Sequence, residues 1–300
     1  MYSVGQIANG IRNPDIALRE LNRLYYRRLY ARDFNEDGVD VFDEDWDNLV
    51  ILDACRYDLF EAEHDLPGRL EARRSRGSST VEFLKANFDE RDLEDIVYVT
   101  ANPQLYRHDS ITPSLHATIN VWQEKGWNSD YRTVLPETLT EHARKAASEY
   151  PDKRLVVHYI QPHYPFIGPT GQEHFDLDSL AIWKRVRNGD LSVSDDVLRQ
   201  AYRENLQLVL PHVRELLDAF RGKTVVTADH GQAIGERVGP VPIQCYGHPT
   251  SVYASPLVKV PWLVHESGER KDIVAEQPQE TGDIENDVVS DRLKQLGYAD

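Results

Sequence analysis

Five short apolar runs punctuate the chain: residues 48–54 (NLVILDA), 95–101 (DIVYVTA), 154–160 (RLVVHYI), 223–228 (KTVVTA) and 258–264 (VKVPWLV). Each reads as a buried strand. Between them, apolar positions recur at helical spacing over 80–88, 137–149 and 195–220. In the last segment Leu198, Tyr202, Leu206, Val209, Val213, Leu217 and Phe220 form one stripe, with a bend expected at Pro211. A further helix is predicted over 14–32, where Ile16, Leu18, Leu21, Leu24, Tyr25 and Leu29 share that spacing and Pro14 suits a first turn. Strands alternating with helices predict an α/β fold, a mostly parallel central sheet with helices on both faces. The expected organisation is an N-terminal helix and acidic loop (1–46), one catalytic α/β domain (47–265), and a polar flexible segment with a short final helix (266–300). There is no internal repeat.

Composition narrows the class. The 300 residues carry a formal net charge of −16, which speaks against a nucleic-acid binder, since such proteins show a basic patch or stripe. Only nine of the 34 basic residues are lysines, and carboxylates are abundant, a balance that suits solubility at high salt and points to a halophile. Two cysteines, Cys55 and Cys245, make no disulfide framework. The sequence has neither a signal-peptide pattern nor an apolar run of 18 residues, so the expectation is a cytoplasmic protein without a transmembrane span. Arg27, Arg28 and Arg32 on the first helix could touch an anionic membrane surface; a solvated helix face accounts for them as well. The acidic stretch 33–47 lacks the glycine and glutamate spacing of a calcium loop.

In open α/β sheets, sites form beyond the carboxyl ends of the strands. The first run ends in Asp53, the third carries His158 and leads to His163, and the fourth ends in Asp229-His230. A later loop supplies His248. Carboxylate oxygen with imidazole nitrogen suits a divalent transition ion, and Gly231 supplies the flexibility for a tight turn after Asp229-His230. Next to Asp53, Cys55 is the residue with reactive chemistry, but free cysteine most often packs as a small hydrophobe. Arg56 offers a planar donor fork for a phosphate, with Asp58 as a competing partner.

The segments TVVTADHGQAIGER (224–237), VVHYIQPHYPF (156–166) and YGHPTSVYASPLVKVPWLV (246–264), taken in order with Asp53, resemble the alkaline phosphatase superfamily, in particular its sulfatase-like and phosphoglycerol-transferase-like branch. The resemblance spans roughly residues 47–265. It implies an alkaline phosphatase-like fold in which Asp53, Asp229 and His230 bind metal, while His163 and His248 contact substrate or a second ion. It also implies a hydroxyl nucleophile that coordinates the metal at the start of the next helix. Thr80 fits best, in RGSSTVEFL (76–84), with Ser78 and Ser79 as competitors and a capping box from Ser79 to Glu82 as the local alternative.

Two departures shape what the resemblance implies. The C-x-P-S-R sequence that sulfatases convert to formylglycine is absent: Cys55 is followed by Arg-Tyr-Asp. Two-metal members carry an aspartate four residues before the histidine matching His163, where this chain has Tyr159, which favours one metal (Mn, Zn or Ca) over two. The expected function is a metal-dependent hydrolase or transferase of phosphate esters. Its catalytic residues would be Thr80, His163 and His248, with Arg56, His163 and His248 contacting substrate and Asp53, Thr80, Asp229 and His230 contacting metal. The partner is a small-molecule, glycan-linked or lipid-linked ester. A sulfuric-ester hydrolase and an inactive binder of anionic glycans or lipid head groups are the alternatives.

Overall fold

The computed structural model describes residues 14–29, 34–123, 126–176, 182–279 and 286–298. Its first half runs α1 (Pro14–Leu29), β1 (Asn48–Leu52), α2 (Tyr57–Glu63), β2 (Arg69–Arg74), α3 (Thr80–Phe88), β3 (Asp92–Thr100), α4 (Gln104–Arg107), β4 (Ser114–Asn120), the short pair β5 (Trp127–Asn128) and β6 (Thr133–Val134), and α5 (Pro136–Glu149). There follow β7 (Arg154–Tyr159), α6 (Pro169–His174), α7 (Ile182–Asn188), α8 (Asp195–Ala219), β8 (Gly222–Thr227), the hairpin β9 (Ala233–Val238) and β10 (Ile243–Gly247), α9 (Ser255–Val258), β11 (Lys259–Ser267) and α10 (Asn286–Gln295).

Seven strands form one sheet in the order β2-β11-β8-β1-β7-β3-β4. β8, β1, β7, β3 and β4 pair in parallel, and β11 runs antiparallel to both β8 and β2. This is the mostly parallel α/β arrangement the sequence predicts. All five residues of β1 are fully buried: Val50 and Leu52 join one apolar cluster and Leu49 and Ile51 the other, as a central parallel strand covered on both faces requires. Buried aliphatic side chains of this kind contribute about 1.5–3 kcal/mol each. One cluster is completed by α5, α8 and α10, the last through Val289, Leu293 and Leu296; the other takes in Phe83, Leu84 and Phe88 of α3 with Val41, Phe42 and Trp46.

Some elements escape the apolar pattern. β2 (RLEARR) is half exposed and arginine-rich, as suits a charged edge strand. Pro211 lies inside α8, which runs from Asp195 to Ala219. In the polar stretch expected to be flexible, residues 266 and 267 belong to β11. Residues 268–279 have no helix or strand, yet they are tied down: Val274 N–H donates to Asp152 O (2.9 Å), Gln279 N–H to His116 O (2.7 Å), and Lys271 Nζ to Asn48 Oδ1 (2.7 Å). On α1 only part of the predicted apolar stripe is covered: Leu18 and Leu24 are half-buried. Leu21, Tyr25 and Leu29 are 53%, 48% and 59% exposed, while Asn22 is buried and donates to the carbonyls of Val238 and Val241. Arg32 lies outside the described residues.

Candidate active site

Because β1, β7, β8 and β3 are parallel neighbours, their carboxyl ends deliver Asp53, His158, Asp229-His230 and Asn102 to one edge of the sheet. The turn after β1 is tight: Ala54 has φ of +59°, a conformation unusual for a residue with a Cβ. It is held by two hydrogen bonds, Ala54 N–H to Asp229 Oδ1 (2.9 Å) and Tyr202 hydroxyl to the Ala54 carbonyl. The turn therefore presents Asp53 and fixes one oxygen of Asp229 at once.

Each of the three candidate ligands has one polar atom satisfied and another left for the centre. Asp53 Oδ2 accepts from Asn102 Nδ2 (2.7 Å) and from the Tyr298 hydroxyl (2.5 Å), whereas Oδ1 has no partner. Asp229 Oδ1 accepts from the N–H groups of Ala54 and His230 (2.8 Å for the latter), whereas Oδ2 has none. His230 donates Nδ1–H to the Gly231 carbonyl (2.7 Å), which leaves a lone pair on Nε2, 3.6 Å from Asp53 Oδ1 and 3.4 Å from Asp229 Oδ2. All three residues are wholly buried, and their ligand atoms lie within 4.8 Å of one another. Two buried carboxylates facing each other repel, and burial and Asp229 together push the Asp53 carboxyl well above its ordinary value. Buried charges normally occur paired or on a metal, so a divalent cation is the group this donor set fits.

Thr80 is the first residue of α3, and its Oγ1 lies 3.3 Å from His230 Nε2. The capping box does not form. Ser79 occupies the N-cap but makes no cap hydrogen bond, and its buried Oγ has no partner. Glu82 turns instead to tertiary partners, accepting from Ser78 N–H (2.9 Å), Ser78 Oγ (2.7 Å), Ser251 N–H (2.8 Å) and the Tyr253 hydroxyl (3.3 Å). That carboxylate clips the loop after β10, and with it His248, to the start of α3. It also occupies Ser78, whose hydroxyl is thereby committed, leaving Thr80 as the one of the three hydroxyls placed against a candidate ligand.

His163 and His248 come together, their ring centroids 5.0 Å apart, and His248 lies 4.7 Å from the His230 ring. His163 donates Nδ1–H to Tyr164 O (2.6 Å) and His248 donates Nδ1–H to Gln232 Oε1 (3.1 Å), so both present an unprotonated Nε2. Burial holds His163 down to about 4, and burial with the two neighbouring histidines holds His248 well below its usual value. His158, lowered to about 4 by burial, packs 3.8 Å from Asp229 Oδ2. Arg56 is not among the residues lining the pocket beside Thr80; its guanidinium bonds Asp58 (2.8 and 2.6 Å), Glu236 and the Gln232 carbonyl (3.2 Å). Cys55 is fully buried, and burial pushes its thiol well above the normal range, consistent with a packing role.

A pocket of about 520 Å³ is lined by Thr80, Ser79, His248 and Tyr298 together with Arg107, Lys184 and Arg187, and among the described residues no carboxylate lines it. His163 lies behind it, stacked on the Tyr298 ring (4.9 Å, 9°). Tyr298, Glu82 and Tyr202 are the residues of the site that the strand-end pattern missed.

The chain is similar to phosphoethanolamine transferases. The periplasmic domain of phosphoethanolamine transferase EptC from Campylobacter jejuni matches 73% of this chain and 78% of its own at 15% identity, with a TM-score of 0.49. The corresponding domain of EptC from Escherichia coli, in complex with Zn, matches 77% of this chain and 76% of its own at 13% identity and TM-score 0.45. The integral membrane lipooligosaccharide phosphoethanolamine transferase A from Neisseria meningitidis matches 72% of this chain at 16% identity and TM-score 0.45, and this chain spans only 46% of it. No protein-family model and no curated protein matches. Among the described residues no helix is long and apolar enough to cross a membrane.

Proposed function

We propose that the protein is a metal-dependent enzyme that transfers or hydrolyses phosphate esters through Thr80. The observation that carries this reading is the convergence of two unpartnered buried carboxylate oxygens, Asp53 Oδ1 and Asp229 Oδ2, with His230 Nε2, which meets the Thr80 hydroxyl at 3.3 Å, where Thr80 lines a pocket that also carries Arg107, Lys184 and Arg187. Two carboxylates and an imidazole suit Zn or Mn better than Ca, which prefers six to eight oxygens. Bound there, the ion would lower the pKa of the Thr80 hydroxyl and neutralise charge on the phosphoryl oxygens.

The remaining roles fall to the protein. Thr80 Oγ1 attacks phosphorus in line, the P–O bond to the leaving alcohol breaks, and a phosphothreonine forms that water or a second alcohol resolves. His163 and His248, with Nε2 unprotonated, accept the proton of the attacking hydroxyl or water and return it to the leaving oxygen. Arg107, Lys184 and Arg187 hold the charged remainder of the substrate, in a chain whose net charge is otherwise −16.

A lipid-linked ester would be met at the bilayer surface. The exposed Leu21, Tyr25 and Leu29 of α1, with Arg27 and Arg28 in its last turn, have the apolar face and basic flank that an anionic bilayer accepts.

Elemental analysis together with turnover of p-nitrophenyl phosphate, bis(p-nitrophenyl) phosphate and p-nitrophenyl sulfate, with Zn and with Mn, tests the reading. A phosphate ester should be turned over with bound metal near one equivalent. Asp229→Ala should lose both metal and activity, and Thr80→Ala should lose activity, on the order of a thousandfold, while keeping metal. Full activity in Thr80→Ala rejects Thr80 and leaves the metal site standing. Preferential turnover of the sulfate favours the sulfuric-ester alternative, and a metal-free, inactive protein favours an anion binder.

A further inference from the structure

The strand-end ligands account for three sides of the centre; the fourth side comes from the far end of the sequence. Helix α10 docks through Val289, Leu293 and Leu296, spaced to share one face, and Arg292 lies over the Trp127 ring at 4.5 Å. The helix stops in a Schellman turn. Gly297 has φ of +82°, its N–H bonds to Lys294 O (3.0 Å), and the Tyr298 N–H bonds to Leu293 O (2.9 Å). A left-handed residue at this point reverses the chain and sends the Tyr298 side chain into the site; glycine takes that conformation without strain.

There the hydroxyl of Tyr298 meets two groups. It donates to Asp53 Oδ2 at 2.5 Å and accepts from Asn102 Nδ2 at 3.2 Å. Its ring stacks on His163 at 4.9 Å and forms part of the pocket wall. Asn102 and Tyr298 thus share one oxygen of Asp53, and the other faces Asp229 and His230.

We infer that Tyr298 is a positioning residue for the metal centre: its hydroxyl orients the Asp53 carboxylate toward the ion. The inference rests on the metal-centred reading above. A partner that orients a ligand in this way affects metal affinity by roughly ten- to a hundredfold when removed. A tyrosine present only to dock α10 would act through its ring alone.

Tyr298→Phe separates the two, because it keeps the ring on His163 and the Schellman turn while deleting one oxygen. The measurement is Zn dissociation constants of the full chain by competition with a chromophoric chelator, for the parent, Tyr298→Phe and Asp229→Ala. The expected result is at least tenfold weaker Zn binding in Tyr298→Phe, with its metal-free thermal unfolding midpoint close to the parent's. Zn affinity unchanged in Tyr298→Phe but lost in Asp229→Ala overturns the role of Tyr298 and preserves the metal site. Zn affinity unaffected by Asp229→Ala overturns the metal-centred reading and this inference with it.

Discussion

At the scale of single residues, the site is a set of half-satisfied groups. Asp53, Asp229 and His230 each spend one polar atom on the protein and keep one for the centre. The histidines around them are buried and neutral, and this has a consequence for pH. Unfolded imidazole titrates near about 6.5. Burial holds folded His163 at about 4, so the unfolded chain binds the proton more readily. The stability this residue contributes is complete above pH 6.5 and is lost as pH falls through about 4, by about 3 kcal/mol at most. Asp53 works in the opposite sense: its folded carboxyl is raised, so stability from its protonated form is present at low pH and lost as pH rises through the folded value. The informative quantity is therefore a difference. In urea unfolding, the stability advantage of metal-free parent over His163→Gln should shrink between pH 6.5 and 4; an advantage constant over that range would show that His163 is not held neutral. Asp53, Asp229 and His230 were legible in the sequence because each ends an apolar run with a group that a buried strand has no reason to carry. Glu82 was not. Its spacing from Ser79 fits a local capping box, and only the fold reveals that Ser251 and Tyr253 compete for the same carboxylate.

At the scale of elements, the positions of the loops matter more than those of the strands. Asn205, fully buried on α8, holds the segment that carries His163: its Nδ2 donates to His163 O (3.0 Å) and Pro165 O (2.8 Å), and its Oδ1 accepts from Ile167 N–H (2.8 Å). Asn205→Leu, with the same branched heavy-atom skeleton but unable to make any of these bonds, should cost about 3 kcal/mol in urea unfolding. No loss would mean that the cis-proline loop at 161–165 is held by its other contacts. In the sequence, Asn205 is one polar position beside an apolar stripe, indistinguishable from a solvent-facing residue. The strands were legible because burial on both faces makes continuous apolar runs of β1, β7 and β8. β2 and the β9–β10 hairpin were not, since their charged or mixed residues carry no such run.

At the scale of the molecule, α1 stands out in a chain of net charge −16 with four arginines and one side of exposed apolar groups. Three of the six large hydrophobic side chains exposed among the described residues sit on it. Flotation with vesicles of mixed neutral and anionic phospholipid should carry the parent upward, and the Leu21→Glu/Leu29→Glu variant should stay at the bottom. Equal flotation of the two removes α1 as the contact. The sequence foretold the helix but not the exposure of its stripe, because periodicity reports which residues share a face and not whether anything covers it. The tie between Tyr298 and Asp53 has an energetic corollary. The two groups are 245 positions apart, so docking of α10 and occupancy of the centre are linked equilibria, and each must strengthen the other by the same factor. If the tyrosine tightens Zn tenfold, Zn in turn raises the free energy of opening α10 by about 1.4 kcal/mol. Amide hydrogen exchange at 286–298 should then slow about tenfold on adding Zn and not in Tyr298→Phe, so that the last helix reports, from the opposite end of the chain, whether the metal is home.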